Sequence, residues 1–330
     1  MSCGRSASKG SPQKGLKKQI GGWALGVSLP EAVQEIYPCV HKDRIHLAGG
    51  FVAHNGRISG PTSAHHSWSI GDASWKVEAA LPTARHHPHM ISFEDRLLAF
   101  AGFESPDAQS VWTIQKTGWI LSENGTVWDR LADLPAPAAE AVIGITGDGY
   151  LHLAGGRSWA AENRSGNWQD HKDTDHHFVF TGLNGKWEQA APCPHQRNSA
   201  AGSVINGRLH IVGGRQVGGE NLAYHTVYDY KEDRWHELAP MPKAQGGLAA
   251  ASLGGKLYAF GGEFFDSGGG VYPESWVYDL ASDSWQALPD MPHPRHGLGA
   301  VVHDEAIYVI GGALKASGVD TSALVEVFRP

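Results

Sequence analysis

The chain has 330 residues and a formal net charge of −7, and it contains 42 glycines and 12 tryptophans. That composition favours a turn-rich all-β protein over a helical one. Five basic residues and no acidic residue lie within positions 1–20, so the remainder of the chain is strongly acidic. We therefore expect neither nucleic acid nor an anionic membrane surface as a partner.

The first 20 residues differ from the rest because they are polar and contain no aromatic side chain. We predict a disordered basic tail over residues 1–20 and a single domain over residues 21–330. Neither a signal peptide nor a membrane-spanning segment is recognisable, so the expected location is the cytoplasm, or the periplasm or exterior if a leader precedes this sequence. Cys3, Cys39 and Cys193 are too few and too scattered for a disulfide framework.

After the tail, a short apolar run that ends in Gly-Gly recurs six times, with Ala-Gly in the second copy. The second glycines of these pairs lie 48 to 58 residues apart along the chain. They are Gly50, Gly102, Gly156, Gly214, Gly262 and Gly312. A period of about 50 residues indicates a repeat architecture in which each copy is one supersecondary unit.

A tryptophan and a proline-containing turn follow each of the first five glycine pairs. These tryptophans are Trp75, Trp128, Trp187, Trp235 and Trp285. The sixth pair has no tryptophan after it, whereas Trp23 and Leu29-Pro30 precede the first pair and match the missing segment. We therefore predict that residues 22–28 supply the fourth strand of the last repeat and close a ring, which removes two exposed sheet edges.

Each repeat is predicted to hold four antiparallel strands. Asn206-Gly207 and Gly254-Gly255 are typical two-residue hairpin turns between the first and second strands. The first strands are rich in small residues, which suits the crowded axis of a propeller, while the tryptophans suit its periphery. The predicted fold is an all-β propeller of six blades, closed by the N-terminal strand.

These motifs resemble those of the kelch-repeat superfamily over residues 22–328. The resemblance rests on the glycine pairs, the tryptophans, Tyr-Asp at 228–229 and 278–279, and the Met-Pro turns at 241–245 and 291–295. The chain is similar to bacterial galactose-oxidase-like proteins and to six-bladed sialic-acid mutarotases, while other kelch members are protein-binding modules. The resemblance implies a six-bladed kelch propeller, and a shared fold does not itself assign an activity.

Copper chemistry and other metal sites are not expected. The copper radical oxidases of this superfamily use seven blades and a cysteine cross-linked to a tyrosine, whereas Cys39 and Cys193 occupy unrelated blade positions here. The Asp- and His-rich segment 170–177 has residue types that bind divalent metals. However, His65, His177 and His225 recur at one repeat position, which favours a structural hydrogen bond, so no metal and no cofactor is predicted.

Two sets of loops are expected to converge at one mouth of the central channel, namely those after the proline turns and those after the glycine pairs. Arginine forks there suit carboxylate or phosphate. The candidate ligand-binding residues are Arg85, Arg157, Arg197, Asn198, Arg215, Gln245, Arg295 and His296, with Trp159 and Trp168 from the long loop 157–177. Arg85, Arg197 and Arg295 equally fit a structural role on loop carbonyls, and the two tryptophans either stack on sugars or anchor their loop.

Two classes of function remain open. The first is a site for a small polar or anionic ligand, carbohydrate-like, with epimerase or mutarotase chemistry in which Glu35, Glu140 or Glu263 shuttles a proton. The alternative is a non-catalytic scaffold that binds a protein segment on the same face. The identity of the ligand and the oligomeric state do not follow from the sequence.

Overall fold

The computed structural model describes residues 17–20, 22–106, 111–159 and 167–330. The strands that precede and form the first repeat are β1 (Lys17–Ile20), β2 (Trp23–Leu25), β3 (Val33–Gln34), β4 (Cys39–His41), β5 (Arg44–Ala48), β6 (Phe51–His54), β7 (Arg57–Pro61), β8 (His65–Trp68) and β9 (Lys76–Val77). Most of the predicted tail, residues 1–16, lies outside the described residues, and strand pairing begins at Lys17, before the predicted boundary.

The second and third repeats follow in the same order. Their strands are β10 (His89–Phe93), β11 (Arg96–Phe100), β12 (Phe103–Glu104), β13 (Thr113–Ile114), β14 (Gly118–Leu121), β15 (Trp128–Leu131), β16 (Val142–Ile145), β17 (Leu151–Ala154), β18 (Arg157–Trp159), β19 (His171–Asp173), β20 (His177–Phe180) and β21 (Trp187–Gln189). A short 3-10 helix, Trp168–Asp170, precedes β19.

The last three repeats continue the pattern. Their strands are β22 (Ala201–Ile205), β23 (Arg208–Val212), β24 (His225–Asp229), β25 (Arg234–Glu237), β26 (Ala249–Leu253), β27 (Lys256–Phe260), β28 (Glu263–Phe264), β29 (Gly270–Val271), β30 (Ser275–Asp279), β31 (Ser284–Leu288), β32 (Gly299–His303), β33 (Ala306–Ile310) and β34 (Val325–Phe328). A second 3-10 helix spans Asp266–Gly268. The described residues contain no helix with the length and apolar character needed to cross a membrane.

Six antiparallel sheets of four or five strands form the blades within the described residues, and each runs outward from an innermost strand. The blades, in order, are β4-β5-β8-β9, β10-β11-β14-β15, β16-β17-β20-β21, β22-β23-β24-β25, β26-β27-β30-β31 and β32-β33-β34-β2-β1. Each innermost strand contacts the next one, and β32 contacts β4. The predicted all-β kelch-type fold is confirmed, and shorter two- and three-stranded sheets lie in the loops that follow the glycine pairs.

The N-terminal strand lies in the sixth blade. β2 pairs antiparallel with β34, so that Trp23 is opposite Phe328 and Leu25 is opposite Glu326. Trp23 is buried and contacts the rings of Phe260 and Phe328. The last blade is thus built from both ends of the described chain.

Six tryptophans, one in or directly before the fourth strand of each blade, join neighbouring blades. Each indole Nε1–H donates to a backbone carbonyl of the preceding blade. The pairs are Trp23 with Pro289 (3.2 Å), Trp75 with Val27 (2.9 Å), Trp128 with Ala79 (2.9 Å), Trp187 with Ala132 (3.3 Å), Trp235 with Ala191 (2.9 Å) and Trp285 with Ala239 (2.9 Å). Because Trp75 reaches Val27 of the N-terminal segment, the series runs around the whole ring.

Pairs of buried histidines stabilise three blades. Nδ1 of the second-strand histidine lies 2.9 to 3.0 Å from Nε2 of the third-strand histidine. The pairs are His46 with His65, His152 with His177, and His210 with His225. This is the repeat-related hydrogen bond predicted from the recurring histidines.

The tautomers of two pairs follow from their partners. Nδ1 of His65 and of His177 lies about 3 Å from a backbone carbonyl, which only accepts, so each Nδ1 carries the proton and Nε2 accepts from the other ring. Burial lowers the pKa of all six imidazoles, to about 3 or 4 for His46, His65, His177, His210 and His225. The folded protein therefore holds them neutral.

Cys39 and Cys193 are buried free thiols in different hydrophobic clusters. Burial raises the pKa of both to about 12. They act as small apolar side chains in the core.

We expect the histidine pairs to make the fold sensitive to acid between about pH 6.5 and pH 4. The unfolded chain binds protons on these histidines below about pH 6.5 and the folded protein does not, so the free energy of unfolding falls as pH falls, by about 1.4 kcal/mol per unit and histidine. Urea unfolding at pH 7, 6 and 5 measures this slope. In the double variant His210→Asn/His225→Gln, the pH dependence of the free energy of unfolding should correspond to about two fewer protons bound on unfolding. An unchanged pH dependence would contradict the assigned role of this histidine pair.

We expect a chain that begins at residue 31 to lose cooperative unfolding, because it lacks β2 and the Trp23 and Val27 contacts with both neighbouring blades. Losing a whole strand ladder is comparable with the total stability of a domain. The matched control begins at Lys17 and should melt like the full chain. Scanning calorimetry of both forms is the measurement, and similar melting of the residue-31 form would refute the role of β2.

Candidate functional site

Six equivalent residues, one per blade, surround the mouth of the channel, and each has a left-handed backbone conformation. They are Glu35 (φ 60°), His87 (φ 56°), Glu140 (φ 53°), Ser199 (φ 48°), Gly247 (φ 71°) and Gly297 (φ 58°). This conformation is unfavourable for residues with a Cβ, and such strain clusters at functional sites. We call these six residues the mouth ring.

Backbone hydrogen bonds hold five of the six mouth-ring residues together. The N–H of His87 donates to the carbonyl of Glu35 (2.9 Å), and that of Glu35 to Gly297 (2.6 Å). The series continues from Gly297 to Gly247 (3.0 Å) and from Gly247 to Ser199 (2.9 Å). The strained backbone is therefore fixed by its neighbours, and the side chains that it carries meet near the axis.

Above the mouth ring lies a cavity of about 830 Å³. Its polar floor comprises Glu35, His87, Glu140, Arg157, Ser199, Arg215, Glu263 and His296. Its walls carry the apolar side chains Phe51, Ile58, Trp112, Trp168, Phe265 and Val319. Below the ring, a smaller space of about 110 Å³ is lined mainly by small residues of the innermost strands.

Glu140 occupies one side of the floor with Arg157 and Ser199. The Ser199 hydroxyl donates to Glu140 Oε2, and Nε of Arg157 lies 3.3 Å from the same oxygen. Nη2 of Arg157 donates to Asn198 Oδ1 at 3.1 Å. Burial raises the pKa of Glu140, but Arg157 and more distant cations outweigh it and hold the pKa below its usual value. The carboxylate is therefore ionised.

Arg215 and Glu263 form a second buried pair. Arg215 Nη2 donates to Glu263 Oε1 at 2.8 Å, and the backbone N–H of Ser317 donates to Glu263 Oε2 at 2.8 Å. His296 lies beside them, with Nε2 donating to the carbonyl of Ser317 at 2.8 Å. Burial lowers the pKa of Arg215, but Glu263 and Glu140 raise it above its usual value.

Glu35 stands in front of two histidines. Its Oε2 lies 2.7 Å from His87 Nε2, and Nδ1 of His87 lies 2.8 Å from Nδ1 of His86. The His86 ring is stacked between Phe51 and Phe103. Burial raises the pKa of Glu35, but His87, His296 and Arg215 lower it to about 2, whereas burial holds the pKa of His86 well below its usual value.

Among the residues that the structure describes, six buried polar atoms without a hydrogen-bond partner belong to side chains that line this cavity. They are Arg157 Nε and Nη1, Arg215 Nε, Trp112 Nε1, His296 Nδ1 and Gln34 Oε1. A buried donor without an acceptor costs free energy, so native proteins rarely leave several in one place. Because most of these atoms are donors, the site favours a ligand that supplies acceptor oxygens.

Comparison with known proteins agrees with the fold. The model for the KLHDC2/KLHL20/DRC7 Kelch-repeats domain matches residues 164–325. The solved structure of YjhT superposes with a TM-score of 0.74 at 15% identity, covering 90% of this chain and 95% of that one, which shows a likeness of fold. The family model and this likeness of fold support assignment to the kelch-repeat β-propeller superfamily.

Curated relatives of this kelch propeller have different names. Beta-scruin of Limulus polyphemus is 29% identical over 46% of this chain, and Kelch-like protein terF of Aspergillus terreus is 26% identical over 60%. N-acetylneuraminate epimerase of Haemophilus influenzae is 28% identical over 47%. These matches span 16%, 42% and 44% of the respective relatives' own lengths.

Four candidate ligand-binding residues of the kelch repeats do not line the cavity; for Arg85, Arg197 and Arg295 the structure shows the alternative role on loop carbonyls, and for Gln245 it corrects the prediction. Arg197 and Arg295 donate to backbone carbonyls, and Arg295 also pairs with Glu326 at 2.7 Å. Arg85 donates to a carbonyl, pairs with Glu104 and lies over Trp119. Gln245 donates to Gly261 and accepts from Trp276. Their polar atoms are largely used within the blades.

The remaining predicted residues fall into two groups. The structure brings Glu35, Glu140, Arg157, Arg215, Glu263, His296 and Trp168 together around the cavity. Asn198 supports Arg157 from outside the lining, and Trp159 packs edge-on against His171, so both act behind the surface. In segment 170–177, His171 bonds to the carbonyl of Trp112 and His177 to His152, and the described residues hold no cluster of three or more potential metal ligands.

The prediction omitted several residues that line the cavity, among them His87, Ser199, Trp112, Phe265 and Arg57. A signal for the first two was present in the sequence. They align with Gly247 and Gly297 at the end of each proline turn, and two glycines at one repeat position indicate a left-handed backbone. No repeat position marks Trp112 or Phe265, which lie in loops that differ between blades.

We expect Arg295→Ala to lower the free energy of unfolding by about 3–5 kcal/mol, because it removes the guanidinium partner of the buried Glu326 carboxylate and leaves Oε2 of that group without its donor. The matched control is Arg234→Ala, which removes an exposed arginine on β25 and should change the free energy of unfolding by no more than about 0.5 kcal/mol. Denaturant unfolding of both variants provides the measurement. If Arg295→Ala is as stable as Arg234→Ala, Arg295 has no structural role.

Proposed function

We propose that the protein binds a small, oxygen-rich anion of the carbohydrate type in the cavity above the mouth ring. The observation that carries the proposal is that two buried guanidinium nitrogens, Arg157 Nη1 and Arg215 Nε, have no acceptor among the described residues. A carboxylate is the acceptor that suits a guanidinium fork best, because it forms two parallel charge-assisted hydrogen bonds.

The surroundings of the two arginines support an anion of moderate size. Glu140 and Glu263 hold each guanidinium from one side, so the orientation of the fork is fixed before a ligand arrives. A preorganised fork loses little conformational entropy on binding. The cavity volume is in the range of sites for small organic ligands, and the rings of Trp112 and Trp168 offer flat apolar surfaces for the face of a sugar.

The floor also suits proton transfer to and from the two oxygens bonded to the anomeric carbon of such a sugar. Opening a cyclic sugar requires one group to accept the proton of the anomeric hydroxyl while another donates a proton to the ring oxygen. Glu35 and Glu140 are held ionised and can accept a proton, and the imidazoles of His87 and His296 adjoin Glu35. The name of the Haemophilus influenzae relative, an N-acetylneuraminate epimerase, supports this chemistry.

A protein segment is the second candidate ligand. The rim of the cavity exposes Phe265 (58%) and Val319 (41%), and exposed apolar side chains around a pocket favour peptide binding. Against this reading, the polar floor is buried and charged, and an apolar peptide side chain would leave its donors unpaired. The floor therefore favours the small anion.

Titration calorimetry with glucuronate and N-acetylneuraminate tests the proposal. We expect at least one acid to bind, and Arg157→Met to weaken binding by about 10- to 100-fold, the cost of losing a charge-assisted hydrogen bond. Arg130→Met removes an exposed arginine of β15 and should leave the affinity unchanged.

The same samples test the chemistry. Exchange spectroscopy measures the rate at which the anomers of a bound acid interconvert, and Glu35→Gln should slow that rate more than it weakens binding. Failure of every acid to bind would refute the anion site. Binding without any acceleration of anomer exchange would leave a binding protein and remove the epimerase assignment.

A further inference from the structure

The floor of the cavity carries three carboxylates, two of them buried, and only two permanent cations. Glu35, Glu140 and Glu263 face Arg157 and Arg215, so two of the three negative charges have a guanidinium partner and the third faces only histidines. A second uncompensated negative charge in a buried site is costly. Arg57, the third arginine of the cavity lining, is solvent-exposed on β7 and compensates a buried charge only weakly, so a carboxylate ligand needs one further positive charge at this floor.

His296 is the group placed to supply it. Its ring is 1% exposed, and Nε2 donates to the carbonyl of Ser317, so in the neutral ring the lone pair is on Nδ1. Nδ1 lies 3.4 Å from Glu263 Oε1 and 3.7 Å from Glu35 Oε1 and has no hydrogen-bond partner among the described residues. The neutral ring thus turns a lone pair toward two carboxylates, and the protonated ring turns a proton toward them.

His87 cannot fill this role equally, since both of its nitrogens are engaged. Nε2 pairs with Glu35 and Nδ1 with the buried His86. The other charged groups that face His296 are Glu35, Glu263 and, behind Glu263, Arg215. On the loop that follows Gly312, Lys315 and Asp320 pair with each other at the surface.

We propose that His296 takes up one proton when an anionic ligand binds, so that ligand affinity at this site is coupled to pH. The inference rests on the proposed anion site and assigns its regulation. The ligand carboxylate interacts with the same guanidinium groups, those of Arg157 and Arg215, that otherwise compensate Glu140 and Glu263 alone. A proton on His296 Nδ1 then replaces part of that charge beside Glu263 and Glu35.

The sign of the coupling follows from reciprocity. If the bound anion raises the proton affinity of His296, protons raise the affinity for the anion equally. The dissociation constant for a carboxylate ligand should therefore rise with pH, by at most tenfold per pH unit, and that of an uncharged analogue should show no such dependence.

Titration calorimetry between pH 6 and pH 9 tests the inference, with glucuronate and N-acetylneuraminate as acids and glucuronamide as the uncharged analogue. At each pH, two buffers with different heats of ionisation report the number of protons taken up. We expect uptake to approach one proton for the acid over part of this range and to stay near zero for the amide. His296→Gln should abolish the uptake.

The matched control is His195→Gln, which removes an imidazole paired with Glu237 outside the cavity and should keep the uptake of the wild type. Nitrogen shifts of His296 in ¹⁵N-histidine-labelled wild type give a second measurement that needs no variant, and they should move toward the protonated form when the acid is added. Binding of an acid with a constant affinity and no proton uptake from pH 6 to pH 9, or uptake that persists in His296→Gln, would overturn the inference. Absence of binding by both acids is a different result, because it refutes the anion site itself.

Discussion

The hydrogen bond from each tryptophan indole to a carbonyl of the preceding blade is the contact on which the rest of this structure depends. It recurs at all six interfaces, including the one between Trp75 and Val27 of the N-terminal segment. At two interfaces the accepting carbonyl, Ala79 or Ala191, also accepts from a buried histidine of its own blade. The bond thus links the packing between blades to the pairing within them, and it sets where the loops of successive blades meet.

The mouth ring turns this repetition into an asymmetric site. All six positions share one backbone conformation, but two are glycine and four carry a side chain. A Cβ on Gly297 would lie 2.8 Å from the Glu35 carboxyl group, and one on Gly247 would lie 3.0 Å from Arg215 Nη2. The two glycines therefore leave the space that the functional side chains of other blades occupy. A repeat fold gains a specific site when a few copies give up the side chain that the others keep.

The fold could be predicted from the sequence because its determinants repeat. Six glycine pairs and six tryptophans indicate six blades, and Trp23 identifies the segment that joins the last blade. The site was less predictable, since an arginine after a proline turn and an arginine after a glycine pair are chemically identical. Arg197 donates to carbonyls of its own blade, whereas Arg157 lines the cavity, and the same difference separates the other arginines after proline turns from the other arginine after a glycine pair.

The buried charges at the floor argue for selection on function rather than on stability. Burying an ion pair costs a desolvation free energy that its attraction often fails to offset, so well-packed apolar residues would serve the fold as well or better. The tryptophan contacts already connect the blades without the floor. A floor of three carboxylates and two guanidiniums, most of them buried, is therefore difficult to explain as scaffold.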